Sequence, residues 1–307
     1  MLGLACAAAE PSFQRSLPEL TTAFATDASP NKDRILTLGD IDADDPGGRI
    51  ERLRPLADYM QEKLSNSGVD EVGILIAQNT EDMGHYLSSG KVDIYIDSPF
   101  PTLRVQEISD SQVILRRWKG GDPTYWSFIF ANKSSGITNL KDLPGRIIAV
   151  EDPYSTSGFL LPMATLRQQG FSLQEVSSDL QDVEPDQIGY LFTTNERNSV
   201  SMLLQGRVAA AAISNQDYYA LSDEIKQELV TLISTTAVPR QLVSVQPNID
   251  PHLMYNISEI LTAMDEDELG AQILFDFKET RRFDALPPES EQALEDLKLL
   301  MKKISTD

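Results

Sequence analysis

The chain has 307 residues, with 26 basic against 47 acidic side chains and a formal net charge of −21. That balance excludes a nucleic-acid coat, because a phosphate backbone is bound by dense Lys and Arg and the sequence contains no such patch. Apolar residues at 41%, with 17 glycines and 17 prolines, exclude a disordered or fibrous chain; at roughly 100–200 residues per domain, the length predicts two lobes.

In chain order, Leu2 to Ala9 followed by Glu10-Pro11 reads as the end of an export signal: an apolar stretch, small residues at cleavage spacing, then polar chain. Cleavage after Ala9 is the preferred route, with lipid attachment at Cys6 as the competing one. Residues 10–33 carry Pro11, Pro18 and Pro30 and read as a mobile leader. Cys6 is the single cysteine, so no internal disulfide is expected, and His85 and His252 are too few soft ligands for a zinc or copper cage. No cofactor is expected. No apolar run approaches the ~20 residues that span a bilayer, so the mature body is expected to be soluble.

From Arg34 onward, short β-rich runs alternate with amphipathic stretches, the pattern of an α/β fold. Ile35 to Leu38 reads as a strand ending in Gly39. Leu53, Leu56, Ala57, Met60 and Leu64 follow helical spacing, with Pro55 placed in the first turn. Val72 to Ala77 is the next strand. Thr80 then reads as an N-cap, with Glu81 and Asp82 set favourably against the helix dipole and Gly90 past the helix end. Val92 to Ile96, Gln112 to Arg117 and Trp126 to Asn132 read as strands, the last crossing between lobes. Further strands are expected at Ile147 to Val150, Val208 to Ile213 and Val230 to Ser234. The last third reads as largely helical, closing on an apolar stripe of Leu294, Leu297, Met301 and Ile304.

Ser155-Thr156-Ser157-Gly158 lies between the strand Ile147 to Val150 and an amphipathic run containing Phe159, Leu160, Met163 and Leu166. A helix start leaves backbone N–H groups unpaired and carries the positive end of the macrodipole, so it favours an anion. The hydroxyls add neutral donors, and Gly158 is expected to let a ligand approach the backbone. A plain capping role for Ser155 or Thr156 fits the residues as well. Pro162 predicts a slight kink or a late helix start.

Three blocks carry a resemblance. They are Thr124-Tyr125-Trp126-Ser127 through Asn132-Lys133, Ile137 to Leu143, and Asp152-Pro153-Tyr154-Ser155-Thr156-Ser157-Gly158-Phe159-Leu160-Leu161-Pro162. Together they resemble the phosphate-, phosphite- and phosphonate-binding proteins of ABC importers, and Gly90-Lys91-Val92-Asp93-Ile94 resembles that family's Gly-x-Val-Asp segment. The resemblance implies a two-lobed type II periplasmic-binding fold, each lobe a mixed β-sheet flanked by helices, with the ligand between the lobes. It divides the chain into residues 34–127 plus 237–307 for lobe 1 and 128–236 for lobe 2. It also implies a periplasmic or extracytoplasmic monomer that presents a small phosphorus oxyanion to a transporter permease.

Carried over by position, Ser155, Thr156 and Ser157 would grip the oxyanion, and Tyr125 would donate its phenol. Thr80 and Asn195 stand where the family offers a tyrosine and a histidine. Ser98 and Asp97 face the cleft in the first lobe; Asp97 would accept a protonated ligand oxygen and so reject sulfate, or would be a solvated loop acid. Gln216 and Gln241 occupy the positions aligned with carboxylates that hold an ammonium group, which predicts weak recognition of aminoethylphosphonate. No serine has a recognisable histidine partner and no Gly-x-x-x-x-Gly-Lys occurs, so an enzyme is not expected. The alternative function is a sensor, in which the same lobes face a membrane signalling partner such as a histidine kinase.

Overall fold

The computed structural model describes residues 34–304. The export-signal reading, Cys6 and the leader 1–33 lie outside them. The first half runs β1 (Ile35–Ile41), α1 (Pro46–Leu64), β2 (Glu71–Ala77), α2 (Thr80–Ser88), β3 (Ile94–Asp97), α3 (Pro99–Ser109), β4 (Gln112–Arg117), β5 (Thr124–Tyr125) and β6 (Ser127–Asn132). The middle runs β7 (Ile147–Val150), α4 (Leu161–Gln168), β8 (Ser172–Glu175), β9 (Gln187–Phe192), α5 (Glu196–Leu204), β10 (Ala210–Ser214), α6 (Asn215–Ala220), α7 (Asp223–Glu228) and β11 (Leu229–Ser234). The chain closes with β12 (Val238–Pro239), β13 (Gln241–Val245), α8 (Pro251–Thr262), α9 (Glu268–Asp276), β14 (Phe283–Asp284) and α10 (Pro288–Ile304).

These strands form two six-stranded mixed sheets, ordered β14-β4-β13-β3-β1-β2 and β11-β6-β10-β7-β9-β8, joined through the two-stranded ribbon β12-β5. In the first sheet β1 runs parallel to both β2 and β3, with Leu38 opposite Ile74 on one side and Ile94 on the other. The chain therefore leaves the end of β1 toward one neighbour and returns on the other, and such a switch point opens a crevice at the carboxyl ends of the strands. In the second sheet β7 is likewise parallel to β9 and β10, and its carboxyl end leads to Glu151 and the hydroxyl segment.

Each sheet is covered on both faces, which is why its central strands are near-continuous Val, Ile, Leu and Ala. Leu53, Leu56, Met60 and Leu64 of α1 pack with Leu36, Leu38 and Ile96 of the first sheet and Ile257 of α8. In the second sheet, Ile129, Ile148 and Ala210 face Met163 and Leu166 of α4, while Phe130, Ala149 and Ile213 face Val200 and Leu203 of α5. A separate apolar seam joins Leu103 of α3, Tyr125, Val238, Leu160, Leu161 and Leu297 and Met301 of α10. It lies at the crossover between the sheets.

Several elements differ from expectation. Helix α1 begins at Pro46 behind the cap Asp45, which accepts from Gly48 N–H, so Pro55 lies inside the helix rather than in its first turn. An interior proline costs about 3 kcal/mol, whereas burying Leu53, Leu56, Met60 and Leu64 contributes about 1.5–3 kcal/mol each, so the helix continues. Pro55 is exposed, leaving the carbonyl it cannot bond open to water. The cap of α2 is Asn79, which accepts from Asp82 N–H; Thr80 is the first helical residue. Strands β8, β9 and β13 were not expected, and β13 places a buried strand in the final third. The late start anticipated from Pro162 is present, because a π-helical turn over Thr156–Leu160 precedes α4.

Candidate functional site

Three helix starts converge on one crevice of about 500 Å³: that of α2 at Asn79 and Thr80, that of α3 at Ser98, and the π-helical turn at Ser155. The first two come from the first sheet and the third from the second. Thr80, Asp97, Ser98 and Ser155 thus line a common space, together with Arg49, Asp152 and Tyr154. All three starts bring positive dipole ends, and those of α2 and the π-helical turn bring first-turn amides as well, whereas α3 begins Pro99-Phe100-Pro101 with the Phe100 N–H already bonded; together they favour an anion.

The side chains at this crevice differ in what they already do. Ser98 precedes α3 without making a capping bond. Asp97 accepts from the Tyr95 hydroxyl at 2.7 Å on one oxygen and from Ser98 N–H at 2.6 Å on the other; a carboxylate keeps further acceptor sites. Thr80 is 8% exposed. Ser155 caps the π-helical turn, accepting from Gly158 N–H at 2.8 Å, and donates to Glu151 Oε2 at 2.7 Å.

Thr156 and Ser157 are buried at 1% and 8% exposure and do not line the crevice. Thr156 Oγ1 accepts from Phe100 N–H at 2.9 Å, a bond that ties the start of α3 to the second sheet's helix. Its side chain also meets the phenol of Tyr125, whose pKa burial raises. Tyr125 therefore contacts Thr156 but points into the apolar seam, with the Arg240 guanidinium 4.3 Å from its ring centre. The Ser157 carbonyl accepts from the Ser127 hydroxyl. Asn195 is exposed and caps α5 by accepting from Asn198 N–H at 3.0 Å, outside the crevice.

Gly158 has a different reason than expected. A Cβ there would lie 2.2 Å from Glu151 Cδ, so the missing side chain makes room for Glu151 rather than for a ligand. Burial pushes the Glu151 carboxyl up to about 7, opposed by the Ser155 hydrogen bond and assisted by Asp217, Asp152 and Glu196. A carboxyl group of the chain itself thus occupies the start of the π-helical turn. No signal in the sequence separates this Glu from a solvated acid.

Below the crevice, sharing Ile41, Arg49 and Asp97 with it, lies a cavity of about 170 Å³. Arg117, Lys119 and Gln241 reach it from the ends of β4 and β13, and Asp40 from β1. Arg49 bridges Asp40 at 3.4 Å and Asp42 at 3.1 Å, yet burial lifts the Asp40 carboxyl to about 6. Gln241 Oε1 accepts from Arg117 at 2.5 Å and Gln216 Oε1 from Arg240 at 2.6 Å, so both amide oxygens already face a guanidinium. The sequence reading missed Arg49, Arg117 and Lys119, because a cation at a strand or helix end reads as surface until the sheet order is known. His85 and His252 are exposed on α2 and α8, and among the described residues no group of His, Cys, Asp and Glu could hold a metal ion.

The family described as "ABC transporter, phosphonate, periplasmic substrate-binding protein" matches residues 44–290. A phosphonates-binding periplasmic protein of Escherichia coli is 28% identical over 152 residues, covering 48% of this chain and 44% of its own length. The chain is therefore matched to less than half of that curated relative. Among solved structures, XAC2383 from Xanthomonas citri bound to ATP is similar at TM-score 0.82 and 25% identity, covering 88% of this chain and 98% of its own. PhnD1 from Prochlorococcus marinus in complex with methylphosphonate superposes at TM-score 0.64 and 15% identity over 91% of this chain and all of its own, a likeness of fold. The two-lobed architecture is the type II periplasmic-binding fold.

Proposed function

Because the chain belongs to the phosphonate-binding periplasmic family of ABC transporters, we propose that it captures a phosphorus oxyanion, namely phosphate, phosphite or a small phosphonate, and presents it to a transporter permease. Membership of that family supports an extracytoplasmic location and a role in import rather than in signalling. The observation that carries this reading is the convergence of the α2, α3 and π-helical starts on one crevice lined from both sheets.

In this reading the first-turn amides of α2 and of the π-helical turn receive the oxyanion, while α3, whose first turn holds Pro99, Pro101 and the engaged Phe100 N–H, contributes its dipole and the Ser98 hydroxyl, and Thr80 adds a second hydroxyl from the first lobe. Asp97 accepts from a protonated phosphate or phosphonate oxygen, a contact sulfate cannot offer at neutral pH. Asp42, Asp44 and Asp152 also border the crevice. Asp42 is held by the Asp44 and Asp45 amides and by Arg49, and Asp152 by Tyr154 N–H, so these two have local partners. Their charge favours a singly charged, protonated ligand over a fully ionised one.

Calorimetry of the full chain against phosphate, phosphite, methylphosphonate, aminoethylphosphonate and sulfate tests the reading. ATP joins the panel because XAC2383 was solved with it. At least one of the first three binds more tightly than aminoethylphosphonate, and sulfate fails to compete. Equal binding of sulfate, or no heat from any phosphorus compound, would overturn the assignment. Progress curves with phosphate esters are expected to show no turnover.

A further inference from the structure

We propose that the cavity beneath the crevice is a second anion seat, which takes the distal carboxylate or phosphate of a ligand whose phosphorus oxyanion lies in the crevice. This rests on the phosphorus-binding reading and narrows it to ligands with two anionic ends. The two spaces adjoin across Ile41, Arg49 and Asp97, so a molecule that occupies both passes between these side chains. At about 170 Å³ the cavity has the volume of about five or six waters, room for a carboxylate or a tetrahedral oxyanion but for little beyond it.

Its charge is the reason to expect an anion. Arg117 is 3% exposed, and its guanidinium donates only to neutral acceptors: Thr280 Oγ1 at 2.9 Å, Gln241 Oε1 at 2.5 Å and the Phe277 carbonyl at 2.6 Å. The Phe277 ring lies 3.5 Å from it. Among the described residues no carboxylate forms an ion pair with Arg117. A buried charge without a counter-ion is destabilising by several kcal/mol in general, and a bound anion would remove that deficit. Lys119 faces the same space, and its ammonium has no acceptor among the described residues.

Burial first, then the charge of Arg240, pushes Lys119 down to about 7 and Arg117 down to about 9, with Asp97 and, for Arg117, Asp40 offsetting only part of the effect. The acids at hand leave that deficit standing. Asp40 is committed to Arg49, and Asp97 to the Tyr95 hydroxyl and Ser98 N–H; Asp276 and Lys278 are exposed at the rim. An ammonium group there would face Arg117 and Lys119, while the Gln241 oxygen already accepts from Arg117 and the Asp40 and Asp97 carboxylates are engaged by Arg49, Tyr95 and Ser98.

Titration of the full chain with methylphosphonate, phosphonoacetate, pyrophosphate and aminoethylphosphonate tests the seat. Phosphonoacetate or pyrophosphate binds roughly tenfold more tightly than methylphosphonate, the effect of one added charge-assisted contact. An advantage for the first assigns a distal carboxylate and for the second a distal phosphate. In Lys119→Met that ratio collapses toward one, and in Lys119→Arg it is retained, with circular dichroism confirming that both variants fold. If methylphosphonate binds as tightly as both two-ended ligands, the seat is refuted while the crevice assignment stands. A ratio unchanged in Lys119→Met, or tightest binding of aminoethylphosphonate, also refutes it. If no phosphorus compound binds, both proposals fall together.

Discussion

The helix starts at Ser98 and at Ser155 border the same crevice from opposite sheets, yet they are committed differently. Ser155 caps its turn by accepting from Gly158 N–H and donates to Glu151, and its neighbour Thr156 is buried against α3. Ser98 begins α3 with no capping bond from its side chain. Hydroxyls that look equivalent as ligand donors thus divide into those the fold engages and those it leaves available. The difference lies in which group each carboxyl takes: Glu151 of the second sheet's side accepts from the Ser155 hydroxyl, whereas Asp97 of the first sheet accepts from the Ser98 amide and leaves its hydroxyl without a bond.

The largest expected effect separates the two sides by charge. The Glu151 carboxyl is lifted by burial to about 7 from 4.5, so the folded state binds the extra proton between those values. Its stabilising contribution is complete below pH 4.5 and is lost as pH rises through 7. Relative to wild type, Glu151→Gln should therefore gain stability between pH 5 and pH 8, on the order of 2–3 kcal/mol. Denaturant unfolding at both pH values measures this, and a gap independent of pH would show that Glu151 is ionised throughout.

A smaller effect follows from Thr156→Val, which keeps the shape but removes the acceptor for Phe100 N–H. Leaving that amide unpaired costs about 1–3 kcal/mol. The loss should appear in thermal unfolding, and faster hydrogen exchange at Phe100 would locate it. An unchanged melting profile would mean that the bond across the two sheets contributes nothing.

The smallest effect sharpens the contrast from the other side. Ser98→Ala removes a hydroxyl with no structural partner, so stability should hold within about 0.5 kcal/mol. Affinity for the phosphorus ligand should fall roughly tenfold, the value of one hydrogen bond to a charged acceptor at the low end. Unaltered affinity with lowered stability would reverse the assignment of the two helix starts.

Much of the fold was legible in the primary sequence. Ile147 to Val150 and Gln112 to Arg117 form strands at the expected bounds, and Leu294, Leu297 and Met301 are buried on one face of α10. What was misread depended on neighbours. Thr80 and Asn79 are both competent caps, and only the extended backbone at Asn79 selects it. Pro55 suggested a helix start because the buried stripe begins nearby at Leu53, whereas Asp45-Pro46 supplied the actual one. Strand β13 is short and flanked by prolines and glutamines, and its pairing with β3 and β4 from far along the chain holds it in place.

The sequence by itself determined the α/β class, the alternation that builds two sheets, and the helix start that follows the hydroxyl segment at Ser155, because periodicity and capping chemistry act over a few residues. The tertiary structure alone decided that Glu151 fills the space beside Gly158, that Thr156 and Tyr125 belong to the joint between sheets, and that Arg117 is buried beside the crevice with only neutral hydrogen-bond acceptors. Those outcomes depend on which strands become neighbours, and local spacing carries no information about charges that meet only after the sheets have formed.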